Sequence, residues 1–440
     1  MNRAAEEGPR WSSQAMFLLA AMGTTIGLGN IWRFPFVAGE SGGGAFLLVY
    51  LAALVLISIP VMIAELHLGH AGRRDPVHAI AAVATNAGRS PRWGWIGHLM
   101  AAMGLLYLFY YPLIGSWALH YVQLALDGTL EAASAEDLPG LYDDLQSDKP
   151  RMVLLHTLFL PLAAIITALG VQGGLEKLSK FVMPLLLLLL FSLVLYAALT
   201  IGLSSGLAFL FTPDFSKLNA SVVLAAVGQA LFSTAVGQGV LLVYAGYLRG
   251  NVPLGRYSAI ICLFDGFVAV TAGVFIFSIV AAFGLTPAAG EGLVYMALPL
   301  AFADMPGGSS VAAAFFLMLA LAAFTSVVPT VELLARWCER QFSWRHARAA
   351  LAVGAISWLG GLTVIFTQAG EGPNLLRIYD YLVSNLMIPI AALLMALFVG
   401  WFLPRVTEAR TQTSSNTIIW HWCLRLIAPC AIAVVLIMGL

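Results

Sequence analysis

The stretch from Gly23 to Pro35, reading GTTIGLGNIWRFP, puts oxygen-bearing side chains and helix-weakening glycines where a membrane helix should run unbroken. Gly23, Gly27 and Gly29 loosen the backbone. Carbonyls freed at membrane depth are tolerated only where protein, cavity water or an ion satisfies them. Two readings fit this stretch alone: a cation site, or a kinked helix packed through small residues. Glu65, Asp265, Thr325, Ser326, Thr330, Glu332 and Asp380 also fall in or at the ends of apolar segments. An ionisable group there costs a few kcal/mol and is a functional candidate by default. The competing readings are a hydroxyl bonded back to its own helix and a carboxylate merely satisfied by its neighbours. His67, His98 and His156 lack metal-ligand spacing and read as packing or interface residues. Cys262, Cys338, Cys423 and Cys430 lie in or beside apolar helices, so no structural disulfide is expected. No nucleophile–base constellation stands out, so no enzyme is expected.

These groups need an apolar scaffold, and the composition supplies one. The 440 residues are 60% hydrophobic and 10% charged, with mean hydropathy +0.89. Soluble domains carry roughly 25% charged residues. The chain therefore reads as an all-α polytopic membrane protein whose partner is the lipid bilayer. Its net charge of zero carries no nucleic-acid signal. The first apolar segment has spanning length and lacks a signal-peptide cleavage pattern. Apolar windows predict eleven transmembrane helices, near 14–37, 43–69, 94–124, 153–170, 177–203, 221–248, 254–284, 309–338, 349–367, 378–402 and 419–439. With the N-terminus cytoplasmic, only Arg33, Lys149, Arg151, Lys217 and Arg377 fall outside, which leaves 17 of the 22 basic residues inside. The positive-inside rule favours that orientation, and an odd number of spans puts the C-terminus outside.

A second interruption, Phe232 to Gly239 (FSTAVGQG), sits in the sixth span. Four spans lie between the two broken ones, so the broken helices run in opposite directions. Paired interruptions of this kind point to inverted-repeat transporters with a site at the midplane. The expected organisation is a cytoplasmic segment 1–13, a first five-helix repeat 14–203, an external loop 204–220, a second, inverted repeat 221–402, and a loop with the eleventh helix over 403–440.

GLGNIWRFP at 27–35, ESGGGAF at 40–46, YYPLIGSW at 110–117, AAVGQALFSTAVGQG at 225–239, LPLAFADMPGG at 298–308 and AAFTS at 322–326 together resemble the neurotransmitter:sodium symporter family. The resemblance covers almost the whole chain and implies a leucine-transporter-type 5+5 inverted repeat with helices 1 and 6 broken. It implies two Na+ sites. The first would use Thr25, Asn30, Ser233 and Asp265 with the substrate carboxylate. The second would use Gly23, Ile26, Ala322, Thr325 and Ser326. Oxygen ligands suit a hard cation. The family's chloride positions match Tyr50, Gln229, Ser233 and Ala269, and Ala269 lacks the hydroxyl of a chloride ligand. Asp265 stands where chloride-dependent members usually carry Asn. A fixed carboxylate there can replace the anion, so no chloride requirement is expected. Left without sodium, Asp265 would take a proton for the return step, which would amount to proton antiport.

The resemblance implies a substrate pocket of Thr24, Thr25, Leu28, Gly29, Tyr107, Tyr111, Phe232, Ser233, Ala235, Gln238, Ser326 and Thr330. Members that carry monoamines place Asp at the position of Gly27. Glycine there implies substrates with their own carboxylate, hence amino acids. Tyr107 should reduce the volume, and Gln238 and Thr330 add polarity, which suggests a small or polar neutral amino acid unless Gln238 turns away. Arg33 and Asp380 resemble the external gate, with Tyr111 and Phe232 as its aromatic lid. Trp11 and Tyr247 resemble the inner plug. The family's inner basic and acidic positions are Gly8 and Arg340 here, which leaves Arg10 and Glu339 as the nearest pair. Glu65 matches a carboxylate that steadies the break in helix 6.

The expected function is sodium-coupled import of neutral amino acids by alternating access in a bacterial inner membrane. An osmolyte or another carboxylated amine is the rival substrate. A transporter-like receptor without turnover is the rival class.

Overall fold

The structure, a computed structural model, describes residues 8–132, 138–287, 292–368, 374–403 and 415–438. Arg3, Arg405, Arg410 and most of the loop before the last expected span lie outside the described residues. All regular structure among the described residues is helical. The first expected span is two helices, α1 (Gln14–Thr25) and α2 (Gly29–Glu40), bent by 46° at a short break. There follow α3 (Gly44–Gly72), α4 (Pro76–Asn86), α5 (Pro91–Leu126), α6 (Leu138–Ser147), α7 (Lys149–Ala168) and α8 (Val171–Thr200). The second half holds α9 (Ser204–Phe211), α10 (Ala220–Ser233), α11 (Val240–Gly246), α12 (Leu254–Ala282) and α13 (Leu293–Asp304). It closes with α14 (Gly308–Phe342), α15 (His346–Thr367), α16 (Leu375–Phe402) and α17 (Ile419–Met438).

Among the described residues, nine helices are long and apolar enough to cross a membrane, and the bent α1–α2 pair makes up to ten. The expected sixth span, 221–248, is the separate helices α10 and α11, neither of spanning length. A count of eleven therefore rests on taking them as one broken span. α5, α7 and α8 start before the windows at 94, 153 and 177, because Pro91, Lys149 and Val171 continue the helix into polar sequence that hydropathy cuts off. The expected loop 204–220 contains α9, whose Gly206 and Leu210 are buried as the helix packs on α12.

Short polar residues start the helices. The Ser13 hydroxyl accepts the Met16 N–H at 3.2 Å, and the Asn219 side chain accepts the Val222 N–H at 3.0 Å, each covering an amide the helix cannot satisfy itself. Between α2 and α3, Gly43 has φ +74°, and a Cβ there would lie 2.3 Å from the Phe209 carbonyl. ESGGGAF is thus a turn that α9 closes over. The interior is built on α14 packed along α5, α15 along α7, and α11 against α3. Close approach of α5 and α14 depends on small residues: a Cβ on Gly115 would sit 2.5 Å from that of Ala323. α8 exposes Phe181, Leu185, Leu188, Leu195 and Leu199 on its outer face, a surface suited to hydrocarbon and not to water.

Candidate substrate and cation site

Both helix breaks are held open by side chains that take the place of missing helical hydrogen bonds. At Ile26 the backbone leaves the helix with ψ 94°. The Gly27 N–H donates to Asn30 Oδ1 at 3.2 Å, and the Leu28 N–H donates to the Tyr111 hydroxyl at 2.9 Å. Gln229 Nε2 donates to the Gly29 carbonyl at 2.7 Å. In the second break Ala235, Gly237 and Gly239 have φ of 54°, 86° and 83°. This left-handed backbone costs about 1–2 kcal/mol at a non-glycine residue such as Ala235. Glu65, fully buried on α3, accepts the N–H groups of Gly237, Gly239 and Leu242 at 2.8, 3.0 and 3.4 Å. The breaks are thus built features and not frayed ends.

A cavity lies between them. Its wall is Thr24, Thr25, Gly27, Gly29, Tyr107, Tyr111, Phe232, Ser233, Ala235, Gln238, Ser326 and Thr330. The structure brings together every residue expected for the pocket except Leu28, which is buried behind the wall and contributes its N–H to Tyr111. Gly27 takes the vacant place in the lining. A Cβ on Gly27 would lie 2.6 Å from Ser326 Oγ and 2.8 Å from the Tyr111 hydroxyl, so glycine lets these two polar groups close on the break. The Tyr107 ring stacks on Tyr111 with centroids 4.2 Å apart.

Two clusters of oxygens adjoin this cavity. In the first, Asp265 Oδ1 accepts Asn30 Nδ2 at 2.8 Å, and the Asp265 carbonyl accepts the same nitrogen at 3.0 Å. The Tyr50 hydroxyl lies 3.4 Å from both Asp265 Oδ2 and Ser233 Oγ, and Ser233 and Thr25 both line the cavity. Asp265 is 0% exposed, and no ion pair reaches it among the described residues. An uncompensated buried carboxylate costs several kcal/mol, so Asp265 is stable as a carboxylate only with a cation beside it and otherwise takes a proton. Ala269 is buried with no polar atom to offer, and Gln229 spends its amide nitrogen on Gly29. Of the positions expected for an anion, Tyr50 reaches the Asp265 carboxylate and links it to Ser233.

In the second cluster, Thr325 Oγ1 lies 2.9 Å from the Ala322 carbonyl and 3.4 Å from that of Ile26. Ser326 Oγ lies 3.4 Å from the Ala322 carbonyl and 3.3 Å from that of Thr24. The Gly23 Cβ position lies 3.0 Å from Met183 Sδ and 4.0 Å from the Thr325 Cβ, so glycine there lets α1 approach α8 closely. Carbonyls at the first break and of Ala322 thus lie within hydrogen-bond distance of two α14 hydroxyls. The Thr24 carbonyl joins the expected set. Its presence was not signalled, because a main-chain oxygen has no residue type to read.

The gates depart from expectation in two places. Arg33 and Asp380 form no ion pair among the described residues. Arg33 lies over Phe232 with its guanidinium carbon 4.3 Å from the ring centroid, a cation–π contact. Asp380 accepts from Ser384, one turn along its own helix, at 2.9 Å. Each has found a nearer partner, although Arg33 Nη1 is buried without a hydrogen bond. Glu339 does not pair with Arg10: it binds Arg336 Nη1 at 2.7 Å and lies 3.3 Å from His346 Nδ1. Arg336 on the same helix wins because three residues separate it from Glu339 on one face.

Trp11 packs against Tyr244 of α11, with ring centroids 5.0 Å apart. Its indole N–H donates to the Tyr244 carbonyl at 2.8 Å, and its ring lies 6.0 Å from Tyr247. Tyr247 in turn donates to Glu332. Glu332 also binds Arg336 Nε at 2.8 Å and lies 3.3 Å from His346 Nε2. Sequence reasoning missed this Tyr247–Glu332–Arg336–Glu339–His346 network. The spacing 332, 336, 339 on one helix face was the available signal. Below Trp11, Glu176 at the start of the membrane part of α8 accepts from Ser12 Oγ at 2.7 Å.

Comparison with known proteins gives a consistent neighbourhood. The profile of the Sodium:neurotransmitter symporter family matches residues 8–138 and 144–440. The chain is 32% identical to the uncharacterized sodium-dependent transporter YhdH of Bacillus subtilis, over 97% of this chain and 96% of that protein. It is 30% identical to an uncharacterized sodium-dependent transporter of Haemophilus influenzae, over 98% of each. The crystal structure of MhsT in complex with L-phenylalanine superposes with a TM-score of 0.90 at 36% identity, covering 99% of this chain and all of that one.

Proposed function

Because the chain belongs to the sodium:neurotransmitter symporter family, a family of membrane transporters and not of enzymes, we propose that it imports neutral amino acids with sodium, by alternating access and without chloride. The observation that carries this reading is Asp265: a buried carboxylate with no cationic partner, adjoining the cavity between two broken helices. Sodium is cargo here. One ion would sit among Asp265, Asn30, Ser233 and the Thr25 carbonyl, completed by the substrate carboxylate. The other would sit among the carbonyls of Gly23, Ile26 and Ala322 and the hydroxyls of Thr325 and Ser326. The first ion supplies the charge that Asp265 lacks, and the fixed carboxylate makes an added anion unnecessary. The second site is all-neutral, so it holds sodium more weakly and can release it inward.

Amino acids are the substrate class supported by Gly27, which leaves no side-chain carboxylate at the break, and by the L-phenylalanine bound to MhsT. The substrate carboxylate would face sodium and the amides of the first break, and its ammonium the carbonyls of the second. Residues 14–203 and 221–402 are read as the two inverted repeats, with α10 and α11 one broken span and 403–440 an addition. The basic residues then place the N-terminus in the bacterial cytoplasm and the C-terminus outside. One positive charge moving down 100 mV is worth about 2.3 kcal/mol, roughly a fifty-fold concentration ratio.

Purified protein in proteoliposomes tests this. With an inward sodium gradient in gluconate medium, a labelled neutral amino acid should accumulate above its external concentration. Accumulation only when chloride is present rejects chloride independence. Sodium-dependent binding without accumulation favours a receptor, and uptake of betaine-type amines alone favours the osmolyte reading.

A further inference from the structure

Gln238 lies in the cavity wall, in the turn after α10. Its backbone N–H is used by the Ala235 carbonyl at 3.3 Å. Its side-chain carboxamide has no hydrogen-bond partner among the described residues, although it can both donate and accept. Gln238 is half-buried, so its carboxamide is free of protein partners at the cavity wall. Something entering the cavity can therefore be bound through it.

Two neighbours point the same way. Thr330 Oγ1 donates to the Ser326 carbonyl at 2.9 Å, which uses its proton and leaves the oxygen able to accept. The Thr330 methyl is held toward Gly104, 3.4 Å from the Cβ position there, so the hydroxyl keeps that orientation. Thr330 stands one helical turn, about 6 Å, beyond Ser326, whose hydroxyl touches the Thr24 carbonyl at the first break. It is therefore on the side of the cavity that a substrate's side chain would reach once its carboxylate sits at the break. Tyr107, stacked on Tyr111 at 4.2 Å, narrows the space beside it.

We infer that Gln238, with Thr330, selects amino acids with a short side chain that ends in a hydroxyl or carboxamide, and that Tyr107 excludes large apolar ones. This rests on the amino-acid reading given above and sharpens it. The physical ground is asymmetry: a site with polar groups to satisfy rejects an analogue that leaves them unpaired far more strongly than an apolar pocket rejects an added hydroxyl.

The test is equilibrium binding of isosteric pairs to the purified full chain in sodium: threonine against valine, and asparagine against leucine, with phenylalanine as competitor. Wild type should bind threonine about 10- to 100-fold more tightly than valine, and phenylalanine should not displace it. In Gln238→Leu the threonine-to-valine ratio should collapse to within about threefold. Valine, leucine or phenylalanine binding wild type as well as threonine overturns the selectivity while the amino-acid reading stands. So does an unchanged ratio in Gln238→Leu. If that variant does not fold, the wild-type ratio alone decides between selectivity and its absence. Sodium-dependent binding of none of these amino acids removes both the inference and the reading beneath it.

Discussion

Asp265 and Gly27 carry the two strongest single-residue arguments. Asp265 is held by Asn30 and Tyr50, both neutral, and under the proposed function sodium is its counter-charge. Asp265→Asn keeps the shape and removes the charge. Sodium-driven uptake in gluconate should fall at least about tenfold, the worth of roughly 1.4 kcal/mol, and chloride should restore part of it. Unchanged uptake in gluconate would show that the carboxylate does not stand in for an anion. Gly27→Ala tests the opposite kind of cause, a group that must be absent. Its methyl would overlap Ser326 Oγ and the Tyr111 hydroxyl, at 2.6 and 2.8 Å. Substrate binding should weaken by about tenfold or more, since overpacking costs about 1–3 kcal/mol. Normal binding in this variant would mean the break relaxes freely and that glycine at 27 does not shape the site.

At the scale of the helix, α10 and α11 are joined by six residues, 234–239. The Thr234 and Ala235 amides still bond back to α10 and that of Gln238 to Ala235, while the left-handed Gly237 and Gly239 turn theirs to Glu65. Glu65 accepts from two of them, Gly237 and Gly239, and from Leu242 in the first turn of α11. Glu65→Ala strands those donors in a buried region, at about 1–3 kcal/mol each if no water enters. Thermal unfolding followed by thiol labelling of the buried Cys262, Cys338 and Cys423 should show a clear loss of stability, with Glu65→Gln intermediate because its amide oxygen still accepts. Equal stability of all three proteins would mean that the break is held by its own backbone geometry. These breaks were legible in the sequence because glycine, threonine and serine inside an apolar run contradict a plain helix. The pocket residues were legible through motif resemblance, and the structure gathers all but Leu28 around one cavity. Other features left no such trace. The Arg33 contact with Phe232 depends on a rotamer choice between two available partners. The Tyr247–Glu332–Arg336–Glu339–His346 network joins three elements, and only its 332–336–339 part is local enough to read. Helix α9 was hidden because hydropathy windows merge a short apolar helix with the loop around it.

Across the whole molecule the two ends of the site are closed unequally. On the side of Trp11, the N-terminal segment is tied to Tyr244 and Glu176, and the Arg336 network binds α14 to Tyr247 and to His346 of α15. On the side of Arg33 the expected ion pair is open, and one guanidinium nitrogen is buried without a hydrogen bond. The Trp11 side therefore carries more ties between helices than the Arg33 side, and the proposed alternating access calls for such an asymmetry. A ligand shifts such an equilibrium only by binding one state better than the other. If sodium prefers the state closed at Trp11, weakening that closure lowers its apparent affinity without touching a ligand oxygen. Arg336→Ala combined with Glu332→Gln removes the latch without leaving a bare buried charge at position 332. The sodium concentration that half-saturates substrate binding should rise about tenfold for each 1.4 kcal/mol of closure lost. Trp11→Ala should move it in the same direction, since it loosens the same face from a different chain segment. An unchanged or lower sodium requirement in both variants would mean that closure at Trp11 and sodium binding are not coupled. In that case the network would be a structural tie between α14 and α15 with no part in the transport cycle.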